Sequence, residues 1–284
     1  MTATEDVERN RLSPPRRRVL GSAGLVITVV LVAVHVLAWR ETDFSPAALV
    51  KGWHGMVDFL DDAVPPDFDW NRVVAPGLSA ALVTFYIGLL GTTFSIPFAF
   101  LLALAAARAT TRNTWVYQAA RALLSALRAI PDVVFALIFV TAVGLGPFAG
   151  VLALVCHNTG VMGKLWAEAM EEADLGPRDA LRVTGASSVQ IAANAVLPTA
   201  LPQMTGLLLY RLDVNVRSSL VLGLVGAGGI GFLINQSIQL FRFDQMVTHI
   251  LIVLVLVIVV DQTSALIRRR IAGRTANPGR PTRG

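Results

Sequence analysis

LSAALVTFYIGLLGTTFSIPFAFLLALAAA, residues 78–107, runs for thirty positions without a charged side chain. Crossing the hydrocarbon core of a bilayer takes roughly 20 mostly apolar residues at about 1.5 Å rise each. Lipid offers the backbone no hydrogen-bond partner, so only a helix or a closed barrel can span it. The run is too long and too uniformly apolar for a barrel strand. It predicts a helix long enough to tilt or protrude. Pro97, after Gly91-Thr92-Thr93, marks an expected kink.

Similar blocks recur along the chain. They predict spans over residues 19–39, 121–143, 147–167, 198–224 and 245–267, six crossings in all. The composition agrees: 54% of the 284 residues are hydrophobic and 15% charged, against about 25% charged in a soluble domain. The net charge of +5 sits in loops and ends, which argues for membrane orientation and against a nucleic-acid face. Arg9, Arg11, Arg16, Arg17 and Arg18 precede the first span, and Arg268, Arg269, Arg270 and Arg274 follow the last. With six crossings these fall on the same side as Arg108, Arg112, Arg178 and Arg182, the cytoplasmic side. The expected organisation is a basic tail (1–18), an anchor helix (19–39), an outer loop (40–76), a transmembrane domain (77–270) with an elbow at 168–197, and a basic tail (271–284). The anchor lacks a small-x-small cleavage site and reads as retained. Cys156 has no partner for a disulfide or a metal site and reads as packing.

In the outer loop, Ser45-Pro46 reads as a cap and first-turn proline. Leu49, Val50, Trp53, Met56, Val57 and Leu60 then recur at helical spacing, and Pro65-Pro66 stops them. This predicts an amphipathic helix on the outer membrane surface, serving either packing or partner docking.

The elbow reads EAMEEADLGPRDALRVTGASSVQIAANA (Glu168–Ala195). Its composition predicts two short helices. Pro177 suits a helix start, Gly185 a left-handed turn, and Ser187 or Ser188 the next cap. The chain contains no G-x-x-x-x-G-K-[ST] phosphate loop. If ATP drives it, force must cross an interface from another subunit, and a short rigid helix at a tight turn is a suitable lever. A plain structural elbow is the alternative.

The run DALRVTGASS (Asp179–Ser188), with Ile191 after it and Leu197-Pro198 closing it, resembles the EAA loop of ABC importer permeases, with Asp179 where the family often has Glu. In that family the loop is the coupling helix that docks on the ATPase. The resemblance assigns this contact to Asp179, Ala180, Leu181, Arg182, Thr184, Gly185, Ala186 and Ser187. Residues 128–150, 210–231, 91–100 and 65–70 look like the phosphonate-permease branch. The resemblance covers residues 52–270. It implies an all-α polytopic protein with six transmembrane helices and the type I ABC importer (MetI-like) fold. It further implies a bacterial cytoplasmic membrane, both termini cytoplasmic, and a homodimer of this subunit. Two ATP-binding subunits carrying ATP and Mg, and an extracytoplasmic binding protein or lipoprotein, complete the assembly. No cofactor is expected in this chain, no nucleic-acid partner, and no enzymatic activity of its own. Phosphonates or related phosphorus oxyanions are the expected cargo, with phosphate, phosphite or an amino acid as alternatives.

Charges within spans cost roughly 2.5–3.5 kcal/mol each at the membrane centre, so they tend to face a pathway or a partner. Span five holds Arg211, Asp213, Asn215 and Arg217. Asp213 and Arg217 are four apart and can pair, whereas Arg211 lies about 240° around the helix from Arg217 and needs another partner. Arg217, Asp213 and Asn215 either form the path, with Arg217 favouring an anion, or fix helix packing. Arg128 is either a gate residue or snorkels to headgroups. His157 and Asn158 either line a cavity or bond between helices. Gly226-Ala-Gly228-Gly-Ile-Gly231 matches a dinucleotide fingerprint but follows a membrane span, so it reads as a tight turn at the outer gate or binding-protein contact. An ATP-independent transporter gives no reason for the elbow, a scaffold none for the charges of span five, and an enzyme would need a nucleophile–base or metal spacing that is not found.

Overall fold

A computed structural model describes residues 22–275; the expected basic tail at 1–18, the first residues of the anchor and the end at 276–284 lie outside them. The described residues form helices and turns and no strand. Two compact units divide at Asp58 and Phe59.

The first unit holds α1 (Ser22–Glu41), α2 (Pro46–Lys51) and the start of α3 (Trp53–Ala63). The apolar side chains of α1 are exposed on every side, as a lipid-facing helix requires. The single amphipathic helix expected after Pro46 is two, parted at Gly52, whose N–H closes α2 on the Ala48 carbonyl at 2.8 Å. Ser45 takes the extended cap conformation but its hydroxyl makes no capping bond.

In the second unit, Asp69 starts the chain upward: its carboxylate accepts from the Asn71 and Arg72 N–H groups at 3.0 Å. A π turn (Trp70–Val74) leads into α4 (Ala75–Ala106), which runs through Pro97 without a break. α5 (Thr114–Ala129) and α6 (Asp132–Val143) follow, bent by 83° at Ile130-Pro131. Proline has no N–H to give and disfavours helix in the residue before it, so the break falls there. The third expected crossing is therefore a bent pair. α7 (Pro147–Glu171) is unbroken and the most buried of the four long apolar helices. The elbow follows as α8 (Leu175–Val183), α9 (Ser188–Ile191) and a π turn (Ala192–Val196). α10 (Leu197–Leu222) and α11 (Ile230–Gln239) make a second bent pair, at 51°, and α12 (Phe243–Thr275) closes the bundle. α1, α4, α7 and α12 are long and apolar enough to cross a membrane, and the two bent pairs bring the number to six.

The bundle is held together by small residues. α4 buries Gly77, Ala81, Thr84, Gly88, Gly91, Ser95, Ala99 and Ala103, one stripe at three- and four-residue spacing. In lipid, helices associate by close packing and interhelical hydrogen bonds rather than by hydrophobic burial, which favours such stripes. A Cβ on Gly91 would lie 2.5 Å from Leu154 Cβ, and one on Gly88 would lie 2.8 Å from Val216 Cα. α4 therefore touches α7 and α10 nearly backbone to backbone. Below this contact Trp166 donates to the Met204 carbonyl at 3.1 Å, tying α7 to α10.

The glycine run after α10 is a turn, as expected, and α11 beyond it was not legible as a separate helix. Gly229 has φ +72, and a Cβ there would meet Thr84 Oγ1 at 2.4 Å. Thr84 Oγ1 accepts from the Ile230 N–H at 2.9 Å, so α4 anchors the turn directly.

Candidate functional site

The close approach of α4, α7 and α10 sets the geometry of the polar residues within the bundle. Arg211, 8% exposed, projects from α10 toward α7. Its Nε donates to Asn158 Oδ1 at 2.8 Å and its Nη2 to Asn215 Oδ1 at 3.0 Å. Each amide passes the bond on to α4. Asn158 donates to Ser95 Oγ at 2.6 Å, and Asn215 to Thr92 Oγ1 at 2.8 Å. Both hydroxyls then donate to backbone carbonyls, Ser95 to Thr92 and Thr92 to Gly88, at 2.7 Å. Every link points its oxygen toward the guanidinium. Polarised chains of this kind strengthen one another in a low-dielectric interior.

Asp213 and Arg217 pair, as their spacing predicts. The two ends of that pair differ. The Asp213 side chain is 4% exposed and its Oδ1 has no donor among the described residues, whereas the Arg217 side chain is 54% exposed. Asn215 does not join them. It sits on the opposite side of α10, fully buried against α4, because two residues along a helix turn the side chain through about 200°. The partner that Arg211 needs is thus Asn158 with Asn215. Tyr210, Arg217 and Val221 form an uncovered stripe along α10, continued by Leu224 just past its end.

At the α5–α6 break the chain leaves helical geometry, and His157 Nδ1 meets the Ile130 carbonyl at 3.0 Å. A Cβ on Gly160 would lie 2.7 Å from the Arg128 N, so the end of α5 rests on α7. The Arg128 side chain itself is exposed.

The elbow is built from local capping. α8 starts at Leu175, two residues before Pro177, because Asp174 accepts from the Gly176 N–H at 3.1 Å. Its end is a Schellman closure: Gly185 N–H to Arg182 O at 3.0 Å and Ala186 N–H to Leu181 O at 3.2 Å, with Gly185 at φ +78. Ser187 and Gln190 then form a reciprocal capping box on α9. Leu181 and Ala186 turn inward onto a core that includes Ala106, Met170, Ile191 and Val196. Asp179, Ala180, Arg182, Thr184, Gly185 and Ser187 remain exposed. Asp179 and Arg182 pair at 3.3 Å in solvent, where such a pair contributes little. Val183 is 90% exposed, and Val189, which sequence reasoning passed over, is 78% exposed. Leu181, Thr184, Gly185, Ala186, Gln190 and Asn194 bound a shallow depression of about 370 Å³.

Thr92 and Ser95 were also missed. The signal was the polar run Gly91-Thr92-Thr93-Phe94-Ser95 inside an apolar block, read only as the prelude to Pro97.

A helical membrane bundle with a buried polar centre and a rigid, exposed elbow defines a transport domain of the ABC importer type. Residues 95–273 match the family described as the binding-protein-dependent transport system inner membrane component, and the chain belongs to that family. The Phosphite transport system permease protein PtxC of Stutzerimonas stutzeri is 36% identical over 252 residues, 89% of each chain. The Phosphate-import permease protein PhnE of Mycolicibacterium smegmatis is 39% identical over 241 residues, 84% of this chain and 44% of that one. Among solved structures, an inward-facing MetNI methionine ABC transporter chain superposes with a TM-score of 0.61 at 23% identity, over 72% of this chain and 99% of that one, a likeness of fold.

Proposed function

We propose that this chain is the subunit through which a bacterial ABC importer moves phosphonates, phosphite or phosphate across the cytoplasmic membrane. A binding protein delivers the anion at the outer face. ATP and Mg are held by two separate subunits docked at the elbow. Two copies of this chain face each other, with the uncovered stripe of α10 turned toward the central path and both termini in the cytoplasm. Arg217 then stands in that path, anchored by Asp213. Arg128 and His157 stand at its inner approach, where the broken α5–α6 backbone requires protein or water around it rather than lipid. The cargo reading draws support from relatives named for phosphite and phosphate import.

The observation that carries the ATPase-driven reading is the elbow. Two caps and an inward-facing Leu181 and Ala186 make it rigid, yet Val183 and Val189 are left uncovered. Exposed apolar side chains on a rigid polar surface mark an interaction site. The test is co-purification of the ATPase from detergent. The native chain is expected to retain it. Gly185→Trp is expected to lose it, because a side chain in the left-handed region costs about 1–2 kcal/mol and this one projects into the docking surface. Equal recovery with both chains would overturn the reading.

A further inference from the structure

Of the two arginines in the membrane part of α10, Arg217 is already neutralised and Arg211 is not. Among the described residues no carboxylate lies within 4.0 Å of the Arg211 guanidinium. α6, whose first residue is Asp132, packs against α10, and Asp132 stands beyond ion-pair distance of Arg211. Its contacts are two amide oxygens, each held by a hydroxyl of α4. Such a cradle solvates a cation with neutral dipoles and leaves its charge in place. Burying an unneutralised charge is expensive, and in membrane proteins such groups mark ion and substrate pathways.

The cradle engages Nε and Nη2. Nη1 makes no hydrogen bond among the described residues, yet it is not among the buried polar atoms left without a partner, so it keeps an open side. The break lies at the start of α6, which packs against α10, and non-helical backbone at membrane depth is tolerated where it lines a cavity. We infer that Arg211, held by Asn158 and Asn215, is the fixed cation that offers Nη1 to the anion as it passes the middle of the membrane. A cation without a carboxylate partner attracts an anion more strongly than Arg217, whose charge Asp213 already offsets. Asn158 and Asn215 act as positioning residues. This inference rests on the oxyanion reading of the cargo.

The test uses the whole importer in proteoliposomes and measures phosphite or phosphate taken up per ATP hydrolysed. Arg211→Gln removes the charge. Asn215→Asp keeps Arg211 and sets a carboxylate against it at the same place; the Thr92 hydroxyl, which accepts from the Asn215 amide, must then turn from the Gly88 carbonyl to donate to the carboxylate. Both are expected to lower uptake per ATP by roughly tenfold or more, the factor carried by one charge-assisted hydrogen bond, while ATPase activity stimulated by the loaded binding protein persists. Asn215→Asp retains the Arg211 contact as an ion pair, so native uptake per ATP in a folded Asn215→Asp importer would overturn the inference even where Arg211→Gln fails to assemble. If the native importer accumulates no phosphorus oxyanion, the cargo reading fails instead.

Discussion

Arg217→Ala is expected to destabilise the chain by roughly 3 kcal/mol, and Arg217→Met combined with Asp213→Val is expected to recover most of that loss. The asymmetry of the pair is the reason. Asp213 is sealed in the bundle with Arg217 as its only donor among the described residues, so removing the arginine strands a buried carboxylate. Breaking a buried pair from one side costs about 3–5 kcal/mol, and the half-exposed arginine places this case at the lower end. Replacing both partners by apolar groups of similar shape removes the stranded charge and is often nearly neutral. Asp213→Ala alone is expected to cost much less, because Arg217 already reaches solvent. Thermal unfolding in detergent reads all three variants. The double variant also separates packing from transport: if Arg217 stands in the path, it folds like the native chain and carries cargo poorly. Native uptake by the double variant would restrict the pair to packing.

Gly88→Ala is expected to be worse than a single methyl suggests, with a loss of about 3 kcal/mol or more from overpacking. The added carbon would sit 2.8 Å from Val216 Cα and 2.9 Å from Val216 N, so a helix must move rather than a side chain turn. The Gly88 carbonyl also receives the Thr92 hydroxyl that holds Asn215, so separating α4 from α10 loosens the cradle of Arg211. Both effects are expected together: a lowered unfolding temperature and reduced uptake per ATP in the fraction that folds. A Gly88→Ala chain of native stability would contradict the backbone-to-backbone contact of α4 and α10.

What could be read from the sequence divides by physical range. The elbow was legible almost residue by residue, because its turn chemistry is local. Gly185 ends α8 in the left-handed region and Ser187 caps α9. The start of α8 was placed late because Pro177 overshadowed the cap at Asp174. The long apolar runs located α4, α7 and α12, and the Asp213–Arg217 pair followed from helical spacing alone. The glycine run at 226–231 marked the turn after α10, whereas residues 121–143 read as one span although Pro131 sits inside it; the 83° and 51° bends were not legible, because they depend on neighbours far away in sequence. The cradle of Arg211 was out of reach for the same reason, since it joins side chains from three helices. Hydroxyls in membrane helices commonly bond to the carbonyl four residues back, as Thr93, Thr141 and Thr205 do here. Nothing in the sequence distinguished Thr92, which also receives Asn215, from those three.

The most direct measurement is uptake of radiolabelled phosphite, phosphate and a phosphonate into proteoliposomes holding this chain, its ATPase and its binding protein. The expected result is accumulation of at least one of them that requires ATP and stops when Gly185→Trp uncouples the ATPase. Accumulation without ATP, or accumulation of an unrelated solute and none of these anions, would contradict a phosphorus-oxyanion importer driven through the elbow.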